Sequence, residues 1–246
     1  MDRGIIVTGA ASGIGKGVAA LFVQAGDRVA ILDRNKDALD KVAAEIGATV
    51  AIGVDVSDSA AVSAAVDAAA QALGGVNVLA NCAGVLDDYA PATETSDELW
   101  NKIISVDLSG PFYMARAAIP KILEAGGGAI VNIASISAFV AGGGGAAYTS
   151  AKHGVLGLTR QLAFDYGSKG IRCNAVCPGA TRSGMTEYLF TEEGRNPHVD
   201  AAIAGTPAGR WASPEEIGKL VLWLASDDAS FVHGAAYVVD GGWTIA

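Results

Sequence analysis

The chain has 246 residues, a length that suits one domain with a large single core or two small domains. Hydrophobic residues make up 51% of it, which is enough to bury a core and argues against wholesale disorder. Its 26 acidic and 17 basic residues give a net charge of -9, which disfavours a nucleic-acid partner because phosphate binding needs clustered Lys and Arg.

Three local features bear on location and metal binding. The N-terminal stretch MDRGIIVTGA carries an acid and lacks a long apolar region, unlike a signal peptide. Residues 125–151 contain no charge, but an asparagine, serines and four consecutive glycines make a poor membrane span. Cys82, Cys173 and Cys177 are odd in number and form no ligand-spaced cluster with histidine, which predicts buried reduced thiols. We therefore expect a cytoplasmic protein with no membrane and no metal partner.

Apolar segments typical of strands alternate with longer segments that have helical spacing. In chain order the predicted strands are GIIVTG, RVAILD, ATVAIGVDV, VNVLANCAG, GAIVNIAS, IRCNAVCPG and AAYVVDGG. The predicted helices between them cover roughly residues 14–25, 35–46, 58–73, 96–123, 148–166 and 214–225. Strands that are apolar on both faces and separated by helices predict an α/β fold with a parallel sheet covered on both sides. The irregular stretch 182–212 is too long for an ordinary connection and predicts a mobile substrate-binding lid within a single domain.

The segment VTGAASGIGKG joins the first predicted strand to the first predicted helix. Its glycines, Gly9, Gly13 and Gly15, are spaced G-x3-G-x-G, in a chain whose 32 glycines well exceed the average share of about 7%. Glycines let the backbone turn sharply and approach a pyrophosphate, and a helix N-terminus offers free N–H groups. An ordinary tight turn also explains such a cluster, so a second feature is needed.

Asp33 is that second feature. It ends the second predicted strand, 18 residues after Gly15, where a carboxylate can accept hydrogen bonds from a ribose diol and repels a 2′-phosphate. A helix cap or turn residue is the alternative role. Arg34 beside it can bind a phosphate, so NAD is favoured over NADP without NADP being excluded.

Tyr148 and Lys152 in AYTSAKHG lie four residues apart, on one face of the predicted helix. A free phenol has a pKa of about 10, and lowering it to about 7 needs about 4 kcal/mol of preference for phenolate. One ammonium at about 5 Å in an effective dielectric of about 20 supplies roughly 3 kcal/mol. The pair can therefore make an acid/base. The alternative is an amphipathic face with the tyrosine packed and the lysine exposed.

The Y-x3-K pair, together with TGAASGIG, CPGATRS, SPEEIGKLVLWLASDDAS and VVDGGW, resembles the short-chain dehydrogenase/reductase family over nearly the whole chain. The resemblance implies a doubly wound Rossmann-like sheet of seven parallel strands and hydride transfer between a nicotinamide and an alcohol or ketone. It implies Tyr148 as the acid/base, Lys152 as its activator and ribose ligand, and Ser135 in NIASIS as the group that binds the substrate oxygen. It also implies a homotetramer, with the last long helices and the C-terminal strand at the subunit contacts.

The resemblance carries a larger set of cofactor contacts. Asp55 and Val56 would contact adenine, the NCAG segment would line the adenosine side, and the CPGATRS segment would hold the carboxamide. The implied cofactor-binding residues are Gly9, Ser12, Gly13, Ile14, Gly15, Asp33, Arg34, Asp55, Val56, Asn81, Ala83, Gly84, Tyr148, Lys152, Pro178, Gly179, Thr181 and Ser183. Ser137, Met185 and Tyr188 are candidate substrate neighbours, and the mixed charges of the lid leave the charge preference of the pocket open.

Two positions depart from the family pattern. Cys82 stands where a second asparagine is usual, and we expect altered packing rather than lost chemistry. Asp107 stands where the family typically has the asparagine that completes a catalytic tetrad. A charged Asp107 near Lys152 would raise the pKa of Tyr148 and move the activity optimum to the alkaline side. Alternatively, Asp107 points away and only caps or kinks the helix.

These features predict an NAD-dependent dehydrogenase that acts on a small-molecule secondary alcohol or ketone. A 3-oxoacyl-[acyl-carrier-protein] reductase using NADPH is the closest alternative. Asp33, the non-basic Ser12 in the glycine turn and the net charge of -9 all disfavour it. A non-catalytic dinucleotide sensor is disfavoured by the complete Ser135, Tyr148 and Lys152 set, and a sugar-nucleotide epimerase or dehydratase by the short chain.

Overall fold

A computed structural model describes residues 2–191 and 197–245. Its centre is a seven-stranded sheet, parallel throughout, in the order β3-β2-β1-β4-β5-β6-β7. The strands are β1 (Gly4–Thr8), β2 (Arg28–Asp33), β3 (Val50–Gly53), β4 (Val78–Asn81), β5 (Gly128–Ile133), β6 (Ile171–Pro178) and β7 (Ala236–Val239). Each predicted strand is confirmed, and so is the doubly wound α/β fold.

The helices cover both faces of the sheet. They are α1 (Gly13–Gln24), α2 (Lys36–Ile46), α3 (Ser59–Leu73), α4 (Asp97–Ile104), α5 (Gly110–Glu124), α6 (Ala146–Tyr166), α7 (Pro197–Ala204) and α8 (Pro214–Leu224). The single long helix expected over residues 96–123 is divided by a π-helical turn at Ser105–Ser109. Residues 192–196 of the predicted lid lie outside the described part of the chain. The described parts of 182–212 are less irregular than the sequence indicates, since they contain a 3-10 turn at Glu187–Phe190 and α7. No helix in the described part of the chain is long and apolar enough to cross a membrane.

Two layers of buried apolar side chains hold the sheet between the helices. Ile5 and Val7 of β1 face the layer formed with α1 and α8, while Ile6 faces the layer formed with α3 and α5. Each fully buried side chain of this size contributes about 1.5–3 kcal/mol. The central strand is therefore apolar on both faces, as a doubly covered parallel sheet requires.

The parallel direction of the strands brings their carboxyl ends to one edge of the sheet. Gly9 follows β1, Asp33 ends β2, Asn81 ends β4, Ser135 follows β5 and Pro178 ends β6. The strand order reverses between β1 and β4, which opens a crevice at this edge. Residues that are far apart in sequence thus meet at the place where ligands bind in open α/β sheets.

Candidate active site

A cavity of about 770 Å³ lies along this edge of the sheet. It joins the glycine turn at one end to Ser135, Tyr148 and Lys152 at the other. The predicted cofactor residues that line it are Gly9, Ser12, Gly13, Ile14, Gly15, Asp33, Arg34, Asp55, Val56, Ala83, Gly84, Tyr148, Lys152, Pro178, Gly179, Thr181 and Ser183. The glycine turn (residues 9–15) and Asp33, which together form the proposed dinucleotide cradle, therefore line the same cavity as the tyrosine–lysine pair.

Asn81, the remaining predicted cofactor residue, does not line the cavity. Its buried side-chain amide donates to Asn132 Oδ1 at 2.9 Å, which links β4 to β5 behind the site. Its structural role is therefore to join the two strands from which the site emerges.

The glycine turn leaves the start of α1 open to an anion. Gly9 and Gly13 have φ values of +65° and +51°, where side chains other than glycine are strained. A Cβ on Gly15 would lie 2.2 Å from Gly9 O, so the turn closes only with glycine there. Ser12, the N-cap, makes no side-chain capping hydrogen bond, and the first turn of α1 holds no acidic residue. The exposed N–H groups and the positive end of the helix fit a pyrophosphate.

Asp33 joins this turn to the next element. Its Oδ2 accepts from Ala11 N at 3.1 Å, and its Oδ1 accepts from Asn35 N at 2.9 Å. The carboxylate is thus fixed at the cavity wall and retains lone pairs for a ligand. The ribose-binding and turn-residue roles are compatible, because one carboxylate can serve both. The exposed Arg34 lines the same end of the cavity.

Tyr148 and Lys152 are both buried, with exposures of 7% and 4%. Lys152 Nζ lies 5.3 Å from the centroid of the Tyr148 ring and donates to Ile133 O at 3.3 Å. An ammonium on an exposed amphipathic face would instead lie in water. The pair therefore faces into the protein at the wall of the cavity.

Asp107 points toward Lys152 from the π-helical turn. Its Oδ2 lies 3.2 Å from Lys152 Nζ, and its Oδ1 accepts from Val85 N at 2.8 Å. The Oδ2 approach is an ion pair without hydrogen-bond geometry. Burial raises the pKa of Asp107, partly offset by Lys152. Burial by itself lowers the pKa of Lys152, but Asp107 and Tyr148 bring it above its ordinary value.

The net direction for the tyrosine differs from the sequence-based expectation. Burial raises the pKa of Tyr148, and the charges of Asp107 and Asp87 raise it further, against the opposing effects of Lys152 and a hydrogen bond with Ser135. The expected lowering of this pKa rested on Lys152, helped by the positive ring of a bound oxidised nicotinamide, with only the charge of Asp107 set against it. Burial of the phenol and the carboxylate of Asp87 were not weighed, and both raise the pKa of Tyr148.

Ser135 is held in place by its own turn. It precedes a 3-10 turn at Ile136–Ala138, where its Oγ accepts from Ser137 N at 3.1 Å and lies 3.2 Å from Ser137 Oγ. Ser137 is fully buried and supports Ser135 without lining the cavity. Of the other candidate substrate neighbours, Met185 lines the cavity and Tyr188 does not.

Sequence reasoning missed much of the cavity wall next to the tyrosine. The unpredicted lining residues there include Leu86, Tyr89, Ile136, Val199, Ala202, Trp211 and Trp243. They come from separate loops and α7, with no shared motif; only the terminal VVDGGW pattern carried a signal. Among the described lining residues the charged ones are Asp33, Arg34, Asp55 and Lys152, and the first three belong to the adenosine end.

All three cysteines are free thiols. Cys173 and Cys177 are buried as expected, whereas Cys82 is half-buried and lines the cavity. Desolvation raises the pKa of Cys82 to about 12, of Cys173 to about 12 and of Cys177 to about 11. In residues 2–191 and 197–245, no group of three or more His, Cys, Asp or Glu could hold a metal ion. Metal ligation thus has no support from the described side chains.

Comparison with known proteins gives matches along nearly the whole chain. A family model described as "Enoyl-(Acyl carrier protein) reductase" matches residues 9–244. D-threitol dehydrogenase of Mycolicibacterium smegmatis is 41% identical, over 98% of this chain and 92% of that protein. Cyclohexanol dehydrogenase of Acinetobacter sp. is 40% identical, over 97% of this chain and 94% of that protein. The crystal structure of levodione reductase matches with a TM-score of 0.94 at 33% identity, covering 100% of this chain and 99% of that one.

Proposed function

Because the chain belongs to the short-chain dehydrogenase/reductase family, we propose that it is an NAD-dependent dehydrogenase that interconverts a secondary alcohol and a ketone with Tyr148 as acid/base. Its class, an oxidoreductase acting on CH–OH groups, follows from the family and from its alcohol dehydrogenase relatives. One observation carries the proposal: a single cavity holds both a dinucleotide cradle and a buried tyrosine–lysine pair.

The adenosine end supports NAD over NADP. The glycine turn would take the pyrophosphate and Asp33 the ribose diol, where its charge opposes a 2′-phosphate. Pro178, Gly179 and Thr181 would hold the nicotinamide end. Bound there, the nicotinamide supplies the hydride acceptor for oxidation or the hydride donor for reduction.

The residues around the tyrosine would handle the proton. In oxidation, Tyr148 Oη takes the proton of the alcohol hydroxyl, and in reduction it returns a proton to the carbonyl oxygen. Ser135 Oγ donates to the substrate oxygen. The hydrogen bond from Ser137 N holds this hydroxyl in place, and a donor that is already oriented stabilises the developing charge. Lys152 stabilises the phenolate, and a bound oxidised nicotinamide would add a positive charge that opposes the pKa-raising effect of burial on Tyr148.

The pocket wall supports a neutral substrate with an apolar body. Leu86, Tyr89, Met185, Trp211 and Trp243 line the cavity, and the described residues place no carboxylate or guanidinium among them. An apolar ring therefore suits this wall better than a polyol. The lid proposed over residues 182–212 contributes Met185 and Trp211 to it.

Exposed apolar groups support the assembly implied by the family resemblance. Phe164 of α6 and Phe231 are almost fully exposed, and Val238 lies on the edge strand β7. A subunit contact would remove these apolar side chains from water. We propose a homotetramer, located in the cytoplasm, whose contacts use α6 and β7. Light scattering after gel filtration should give four chains per particle, and a monomer would contradict the assembly.

Spectroscopic assays of nicotinamide reduction test the proposal. Purified protein should oxidise cyclohexanol faster than D-threitol, and NAD should support a higher kcat/KM than NADP. A 3-oxoacyl thioester reduced with NADPH more efficiently than any alcohol is oxidised with NAD would favour the acyl-carrier-protein reductase alternative. Absence of turnover with either class would favour a non-catalytic dinucleotide sensor.

Substitution of the tyrosine tests its role. Tyr148→Phe should abolish turnover because the phenol oxygen transfers the proton. It should leave the Kd for NAD within about threefold, because the glycine turn and Asp33 would supply most of the nucleotide contacts. Tyr166→Phe, the same change at the far end of α6, is the matched control and should retain activity. Equal activity of Tyr148→Phe and the wild-type protein would refute the assignment.

A further inference from the structure

A buried carboxylate from a distant loop caps the helix that carries Tyr148. Asp87, in the loop after β4, is fully buried. Its Oδ1 accepts from Gly145 N at 2.7 Å and its Oδ2 accepts from Tyr148 N at 2.9 Å. The N-cap of α6 is Gly145, which has no side chain to cap the helix. Asp87 therefore supplies the acceptors and the negative charge that a helix N-terminus needs.

The same loop contacts α6 through its backbone. Ala90 O accepts from Ala146 N at 3.1 Å, so three N–H groups at the start of α6 bind residues 87–90. A Cβ on Gly145 would lie 2.4 Å from Ala90 O and 2.6 Å from Asp87 Oδ2. The approach is too close for any residue except glycine. The loop and the helix start thus form one interlocked unit.

The turn at residues 87–90 is strained in a way that this interlock explains. Asp87 O accepts from Ala90 N at 3.0 Å, and the two central residues, Asp88 and Tyr89, have φ values of 51° and 60°. A turn with two positive φ values normally uses Asn-Gly or Gly-Gly, and a tyrosine there is unfavourable. Such strain persists only where surrounding contacts fix the conformation. Its result is that Tyr89 forms part of the cavity wall.

We propose that Asp87 is a positioning residue that locks the 87–90 turn onto the start of α6, and thereby sets where Tyr148 and the Tyr89 wall lie around a bound alcohol. The proposal rests on the proposed acid/base role of Tyr148. Asp87 touches neither the cradle nor the cavity, so it acts through these two tyrosines.

The charge of Asp87 gives this role a distinctive readout. The groups that act on Tyr148 are Lys152, Asp107, Asp87 and Ser135, and Asp87 raises the pKa of the phenol. Removing that charge lowers the pKa of Tyr148, so the acidic limb of the kcat profile moves to lower pH. A residue that only supported the fold would leave that midpoint in place.

Asp87→Asn tests the proposal, with Asp88→Asn as matched control, since it removes an exposed charge from the same turn. Cyclohexanol and NAD, or the alcohol of the panel with the highest kcat/KM, serve as substrates. We expect Asp87→Asn to lower kcat at least tenfold, to shift its acidic midpoint to lower pH, and to change the Kd for NAD less than twofold. A kcat within twofold of Asp88→Asn, or a lower kcat with an unmoved midpoint, would overturn the proposal.

A second pair of variants tests the interlock from the helix side. Gly145→Ala places a methyl group against Ala90 O and Asp87 Oδ2, whereas Gly157→Ala on the same helix meets nothing within 4 Å. We expect at least a tenfold lower kcat for Gly145→Ala and an unchanged kcat for Gly157→Ala. If Asp87→Asn does not fold, the comparison of Gly145→Ala with Gly157→Ala tests the proposal. Equal kcat values for these two variants would overturn it.

Hydrogen exchange separates this proposal from the proposed function. The amides of Gly145 and Tyr148 should exchange slowly in the wild-type protein, and at least one of them should exchange much faster in Asp87→Asn, because an amide has one acceptor oxygen where the carboxylate has two. That result is independent of alcohol turnover. An inactive wild-type protein would refute the proposed function but would leave the contact between the 87–90 turn and α6 untested by activity, and the exchange rates would still decide it. Unchanged exchange at both amides would refute the interlock even if the enzyme is active.

Discussion

Lys152 Nζ lies 3.2 Å from the buried Oδ2 of Asp107 while it remains 5.3 Å from the ring centroid of Tyr148. The ammonium is therefore shared between a carboxylate and a phenol. Asp107 stands where an asparagine is usual in the family, and an amide would not compete for the charge of Lys152. The shared ammonium explains why the pKa of Tyr148 is raised by burial and by Asp107 despite the nearby lysine.

Replacing Asp107 should move the pH dependence of alcohol oxidation. Asp107→Asn keeps the acceptor for Val85 N and removes the charge that raises the pKa of Tyr148. The acidic midpoint of the kcat profile should therefore shift from the alkaline side toward neutral pH. Asp97→Asn, at the exposed start of α4, should leave it unchanged. An unmoved midpoint in Asp107→Asn would show that the carboxylate and the phenol are not coupled.

The same ion pair should be visible in stability. Lys152→Met leaves Asp107 buried without its counter-charge, which costs about 3–5 kcal/mol in the free energy of unfolding at neutral pH. Because burial raises the pKa of Asp107, the folded variant binds a proton more readily than the unfolded one, and the loss should shrink as the pH is lowered.

Controls for this stability effect are available in the chain. Lys121→Met breaks the solvent-accessible pair with Asp67, where the N···O distance is 3.0 Å, and should cost far less stability than Lys152→Met. The double variant Lys152→Met with Asp107→Asn should recover most of the lost stability. Urea titrations at several pH values measure these differences, and equal costs for Lys152→Met and Lys121→Met would contradict the buried-pair interpretation.

Asp33 should control the choice of nucleotide. Asp33→Ser removes the carboxylate proposed to bind the ribose diol and leaves Ala11 N without its acceptor. Loss of a charge-assisted hydrogen bond is worth about 1.5–3 kcal/mol, so kcat/KM with NAD should fall roughly tenfold to a hundredfold. The value with NADP should hold or rise, because the repulsion of the 2′-phosphate is gone. Asp37→Asn, exposed in the first turn of α2, is the control, and an unchanged NAD to NADP ratio in Asp33→Ser would contradict the role.

The sequence predicted the sheet and the cradle because their signals are local. Apolar strands alternate with helices along the chain. The residues of the proposed cradle stand at the ends of these strands, so the adjoining sequence is enough to predict their place. Periodicity predicted one continuous helix over residues 96–123, because the one inserted residue of the π-helical turn at Ser105–Ser109 barely alters helical spacing. A kink there entered only as an alternative role of Asp107.

The electrostatics around Tyr148 were misjudged for a different reason. Asp87 lies 61 residues before Tyr148, and nothing in the sequence places its carboxylate on the start of α6. Burial of Lys152 follows from the family resemblance, but helical spacing alone does not show it, since a lysine on a helix is usually exposed. Tyr89 reaches the cavity only through a turn with two positive φ values, which the residues Asp88 and Tyr89 do not favour.

The three cysteines should react slowly with thiol reagents in the folded protein. Cys82 lines the cavity, yet burial raises its pKa to about 12, and the pKa of Cys177 is raised to about 11. The thiolate is the reactive species, so a pKa raised this far leaves little reactive Cys82 at pH near 8. The native protein should therefore resist an aromatic disulfide reagent, whereas all three cysteines should react in guanidinium chloride. Rapid release of one equivalent of the aromatic thiol from the native protein would mean that water reaches Cys82. The pKa-raising effect of burial would then not apply at this wall of the cavity.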